Sequence, residues 1–178
     1  AAGDDVVGVG RGQLEDHETA IRLGVVCAGK LAARAAASRM ASLIGETVGE
    51  TVGYRMRLDN RISARTRIEV VTEGVFARMI LDDPALDGVA AVLFDEYHER
   101  SLDADLGLAL TLDAQSGLRD DLRIIVMSAT LDGARVAQLL DPAGAPVIES
   151  EGRSFPVETL YLGRDAHARI EDQVVAAV

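Results

Sequence analysis

The tightest constraint on the fold lies at residues 89 to 96. VAAVLF is an almost unbroken apolar run, and it stops abruptly at Asp95 and Glu96. A strand without polar alternation has no wet face, so it belongs inside a parallel sheet covered on both sides. RIIVMS, 123 to 128, is a second such run, and RIEVVT, 67 to 72, reads as a third strand. Helical patterns fill the intervals. GVFARMILDD must stop before Pro84, and DADLGLALTLDAQSGL, 103 to 118, carries acid at its positive end. Upstream, LAARAAASRMASLIG is built from strong helix formers, with Gly45 as a natural stop. Downstream, LDGARVAQLLD reads as a helix and APVIES as a short strand. This alternation predicts βαβ units and an α/β fold with a mainly parallel sheet flanked by helices.

In such sheets ligands bind beyond the C-terminal ends of the strands. Three of those ends are polar here: Thr72-Glu73-Gly74, Asp95-Glu96-Tyr97-His98 and Ser128-Ala129-Thr130. If the strands are parallel neighbours, all three share one edge. Asp95 can hold Mg²⁺, usually through water, while the ion bridges nucleotide phosphates. Glu96 then lies where it can polarise an attacking water. His98 points to the same side as Glu96 if the backbone stays extended. Ser128 and Thr130 offer hydroxyls to that imidazole or carboxylate. An Asp-Glu pair alone fits an ordinary helix N-terminus equally well. No second His or Cys lies nearby in sequence to make His98 a direct metal ligand.

The 178 residues suit one domain with a substantial core. A formal net charge of −11 argues against a generic nucleic-acid binder. The charge is uneven, however: Arg55, Arg57, Arg61, Arg65 and Arg67 face only Asp59 between Tyr54 and Arg67. A solvated hairpin or loop and a phosphate-contacting patch both fit this cluster. The single cysteine, Cys27, excludes an internal disulfide and fits a reducing, cytoplasmic setting. No apolar run approaches the ~20 residues of a membrane span, and the first residues do not read as a secretion signal.

Several motifs, in order and spacing, carry a family resemblance. VVTEGVFARMIL, then DEYHERSLDADLGLAL, then VMSATLD resemble the first RecA-like domain of a DEAH-box superfamily 2 helicase, of the bacterial HrpB type. LAARAAASRMASLIGE, VGETVGYRMRL and ESEGRSFPVETLYL are similar to that subfamily too, so the likeness covers roughly residues 31 to 178. The resemblance implies a RecA-like P-loop NTPase-type fold, ATP and Mg²⁺ as cofactors, and single-stranded RNA or another nucleic acid as partner. It implies Asp95 and Glu96 as magnesium-coordinating and water-activating carboxylates, and His98 as the link from nucleotide to motor. Ser128, Ala129 and Thr130 match a motif coupling hydrolysis to strand separation. Thr72, Glu73 and Gly74 match a motif touching the nucleic-acid backbone, and Arg34 follows another. Tyr97 stands where this subfamily usually has an aromatic.

The resemblance also implies a glycine-rich phosphate loop ending Gly-Lys-Thr or Gly-Lys-Ser. The nearest match is GVVCAGKL, in which Gly24, Gly29 and Lys30, the only lysine, fit the spacing. Leu31 cannot ligate magnesium, and Val25 and Val26 stand where the loop needs turning backbone. GVGRG is a weaker match, read as a flexible turn. Residues 1–30 are therefore set apart as an atypical segment, 31–160 as a partial RecA-like domain, and 161–178 as a linker into a second one. The expected fold is truncated at both ends, without the remaining helicase domains and their arginines. The chain alone is expected to hydrolyse ATP negligibly. The competing reading is a nucleotide-independent RecA-like module that binds nucleic acid or protein.

Overall fold

A computed structural model of the chain describes residues 5–7, 22–129, 133–150, 158, 159, 161, 163 and 169–177. Its strands are β1 (Asp5–Val7), β2 (Arg22–Cys27), β3 (Val52–Met56), β4 (Asp59–Arg61), β5 (Ile68–Thr72), β6 (Val89–Phe94), β7 (Arg123–Ser128) and β8 (Val147–Ile148). Its helices are α1 (Lys30–Leu43), α2 (Glu73–Asp82), α3 (Leu102–Gly117), α4 (Gly133–Leu140) and α5 (Ile170–Ala177). All the strands join one sheet in the order β4-β3-β5-β2-β6-β7-β1-β8. The run β3-β5-β2-β6-β7 is parallel throughout, while β4, β1 and β8 pair antiparallel at the flanks. This is the α/β, mainly parallel, RecA-like arrangement the sequence predicts.

The two sheet faces bury different side chains. Val25, Cys27, Val70 and Tyr54 pack against Ala33, Ala37 and Ala41 of α1. Alanine at every fourth position lets that helix lie close on the strands. On the other face Val26, Val71, Val92, Phe94, Ile124 and Val126 meet Phe76 and Ile80 of α2 and Leu108 of α3. Gly107 matters to this packing. A Cβ there would come within 3.0 Å of Phe76 Cδ1 and 3.5 Å of Phe94 Cε1, so α3 approaches the rings only because that position is bare.

Two strands lie in the segment that the sequence reading set apart. β2 sits at the centre of the sheet, hydrogen-bonded to β5 on one side and β6 on the other. β1 pairs antiparallel with β7, placing Asp5 opposite Ser128.

The arginine-rich segment forms a hairpin, β3–β4, closed by Arg57 and Leu58. Leu58 has φ 69° and is 95% exposed, at a turn position that favours glycine. Arg55 pairs with buried Glu69 at 2.5 Å, Arg65 with Glu50, and Arg67 donates to the carbonyls of Ala64 and Thr66. Three of the five arginines are thus engaged with other groups of the chain, only Arg55 with a buried one. Arg57 and Arg61 are exposed and form no ion pair among the described residues.

Candidate functional site

Four of the five parallel strands bring the candidate residues to one edge, in the order Thr72, Cys27, Phe94-Asp95 and Ser128. Cys27 is the register partner of Thr72, and the Asp95 amide donates to the Val26 carbonyl at 2.9 Å. The three polar strand ends of the sequence reading therefore do converge, with β2 between two of them. The Cys27 thiol donates to Asp95 Oδ2 at 3.8 Å. Burial, then the charges of Asp95, Glu73 and Glu96, push its pKa up to about 12, so it stays a neutral thiol.

The backbone does not stay extended after Asp95, contrary to the premise of the sequence reading. Glu96 adopts a left-handed conformation, φ 51° and ψ 37°, and Tyr97–Glu99 form a 3₁₀ turn packed on β7. His98 nevertheless reaches Glu96, because the turn folds it back: Nδ1 lies 3.3 Å from Glu96 Oε2. The atom is buried and not aligned for a hydrogen bond with any group, so the contact is one of proximity. Asp95 Oδ1 accepts from the Glu96 amide at 3.1 Å, which fixes the head of the turn.

Tyr97 anchors this turn. Its ring packs edge-on against Phe94, centroids 6.4 Å apart, and its hydroxyl donates to Asp105 Oδ1 at 2.8 Å. That bond contributes about 1 kcal/mol. Arg100 lies over the same ring at 5.2 Å and donates to Asp105 Oδ2 at 2.8 Å. The DEYH segment is thereby tied to the first turn of α3. Ser101 caps that helix, accepting from the Ala104 amide at 2.9 Å and donating to Glu73 Oε2 at 2.5 Å. Glu73 thus points at the neighbouring helix, and a Cβ on Gly74 would lie 3.1 Å from Asp103 Oδ2. Ser101, Arg100 and Asp105 are not among the residues that the motifs single out. Only Ser101 carried a usable signal, a serine just before a helical pattern.

Thr72 precedes α2 as its cap residue but makes no capping bond with its side chain. Arg34 is half-exposed on α1 and ion-paired with Asp59 of the hairpin. Ser128 is buried at the end of β7, Ala129 follows it, and Thr130 lies outside the described residues.

The phosphate-loop match is not a loop. Gly24 to Cys27 are strand, and only Ala28 and Gly29 separate them from Lys30, the first residue of α1. Their backbone groups serve the ladders to β5 and β6, so they cannot turn inward to cradle an anion. Asp95 and Glu96 offer the hard oxygens magnesium prefers. Among the described residues no group of three His, Cys, Asp or Glu could hold a metal ion, so such an ion would rely on water and phosphate oxygens. The residues present fit the metal side of a magnesium nucleotide; residues 24 to 31 do not fit its phosphate side. Among the described residues no helix is long and apolar enough to cross a membrane.

A mainly parallel sheet with an acidic pair at the carboxyl end of a central strand matches a RecA-like domain of the P-loop NTPase type. Over that domain the chain matches DEAH-box helicases of the HrpB type in both sequence and structure. It is 60% identical over 124 residues to the ATP-dependent RNA helicase HrpB of Escherichia coli strain K12, covering 70% of this chain and 15% of that protein. It is 36% identical over 108 residues to an ATP-dependent RNA helicase HrpA homolog of Haemophilus influenzae, covering 61% of this chain and 8% of the relative. Two crystal structures of Escherichia coli HrpB superpose with TM-scores of 0.77 and 0.70 at 56% identity. They cover 88% of this chain and 20% and 19% of the solved chains. No family model matches. The chain spans 15% or less of the two curated relatives named.

Proposed function

We propose that this chain provides the polynucleotide-contacting part of a RecA-like domain from an ATP-dependent RNA helicase of the HrpB type, with ATP binding impaired. The observation that carries the reading is the shared edge on which Thr72, Asp95-Glu96 and Ser128 meet. In it, Asp95 would hold magnesium through water, Glu96 would orient the attacking water, and His98, 3.3 Å from Glu96, would link the nucleotide end to the motor. Ser128, Ala129 and Thr130 couple that end to strand separation. Thr72 and Gly74, at the start of α2, and the β3–β4 hairpin face the nucleic-acid backbone. Glu73 serves this surface through its bond to Ser101. The domain is read as residues 31–160 together with the central strand β2, with a linker toward a second RecA-like domain from 161, and its setting as cytoplasmic.

A second reading, a nucleotide-independent nucleic-acid-binding module, is favoured by one observation: the residues around Lys30, the only lysine, are strand, turn and helix rather than a phosphate cradle. Both readings predict saturable single-stranded RNA binding that weakens steeply with salt. They part on nucleotide. Titration with a fluorescent magnesium-ATP analogue separates them: weak saturable binding that Asp95→Asn abolishes supports the first, and no binding supports the second. In either case phosphate release with saturating RNA is expected to be negligible. Turnover that Glu96→Gln abolishes would overturn the proposed impairment.

A further inference from the structure

We propose that Asp59 and Arg34 form a clasp that sets the β3–β4 hairpin for polynucleotide contact, so that Arg34 acts through the hairpin and not on a phosphate itself. The inference rests on the reading of this face as an RNA-contacting surface. Arg34 belongs to α1 and Asp59 to the hairpin, 25 residues away in sequence. The Arg34 guanidinium donates to Asp59 Oδ2. The Tyr54 hydroxyl lies 3.2 and 3.3 Å from the two Asp59 oxygens, and the guanidinium lies 6.0 Å from the Tyr54 ring centroid. Tyr54 itself is buried against α1, so the three side chains bridge α1, β3 and β4.

Asp59 is the only acid between Tyr54 and Arg67, and it follows the exposed Arg57-Leu58 turn directly. An isolated carboxylate among arginines opposes a polyanion. By charge alone, removing it strengthens RNA binding. The clasp predicts the reverse. β4 is short and lies at the edge of the sheet, and the Asp59 contact ties its first residue to α1. Without it, the turn that carries Arg57 must be ordered at the moment of binding, and affinity falls. Both partners are exposed, with relative side-chain areas of 57% and 36%, so the pair adds little to folding stability and the variants remain folded.

The test is fluorescence anisotropy of the whole chain with a single-stranded RNA oligonucleotide at fixed low salt, with a thermal melt of each variant. Arg34→Ala, Asp59→Ala and Asp59→Asn are each expected to weaken binding about threefold to tenfold, the scale of ordering a few side chains. The double variant Arg34→Ala/Asp59→Ala should be no weaker than either single one, because both remove the same contact. Asp59→Glu should recover part of the affinity. Tighter binding by Asp59→Ala or Asp59→Asn, or additive losses in the double variant, overturns the clasp while leaving the functional reading standing. No RNA binding by the unaltered chain overturns that reading and the clasp with it.

Discussion

Gly53→Ala is expected to destabilise the chain by on the order of 3 kcal/mol, the upper range for overpacking a filled site. A Cβ at this position would stand 2.4 Å from the Arg61 carbonyl oxygen, 3.1 Å from Ile62 Cγ2 and 3.2 Å from Thr66 Cγ2. The nearest obstacle is backbone, which cannot swing aside as a side chain can. Nor can the segment lift easily. The Thr66 hydroxyl donates to the Glu50 carbonyl at 2.9 Å and accepts from the Ser63 amide at 2.9 Å. For a chain of this size the loss corresponds to a melting temperature lower by roughly 6–12 °C. Gly117→Ala is the control, because nothing lies within 4 Å of a Cβ there. A Gly53→Ala melt within about 2 °C of the unaltered chain would show that residues 61 to 66 do not close over β3 as described.

Phe94→Ala should cost about 3–5 kcal/mol, as truncation of a buried aromatic does. Phe94 is 1% exposed, meets Phe76 edge-on with centroids 5.5 Å apart, and supports Tyr97 at 6.4 Å. Its loss empties the centre of the α2–α3 face, where Gly107 has already spent the local freedom to collapse. Against a typical domain stability of about 5–15 kcal/mol, that is a large fraction. Urea unfolding measures it. A cost below about 1 kcal/mol would mean that the ring is not enclosed on all sides. Because Asp95 is the next residue, the same cavity also loosens the strand end that carries the acidic pair.

How much of this was legible beforehand follows from how each signal is encoded. β6 and β7 have the bounds that their apolar runs predict, and β5, α1, α2 and α3 differ by a residue or two at their ends. Continuous apolar runs and helix formers punctuated by Gly and Pro are local signals, and local signals survive folding. β2 was not legible. RLGVVC is short, contains glycine, and sits beside Gly29 and Lys30, which invite a phosphate-loop reading; only its pairing with two neighbours makes it a strand. β1, three residues long, offers no pattern at all. In the site, the gathering of Thr72, Asp95 and Ser128 on one edge followed from strand direction. The orientation of His98 did not, because nothing in the residue types announces a left-handed glutamate.

That left-handed Glu96 has a practical consequence. A non-glycine residue held there stores roughly 1–2 kcal/mol of backbone strain. Glycine at position 96 would relieve it, and a library ranked by heat tolerance alone should enrich that substitution. The winners of such a screen would lack the carboxylate on which the proposed chemistry depends. At this one residue, selection for robustness and selection for chemistry pull in opposite directions.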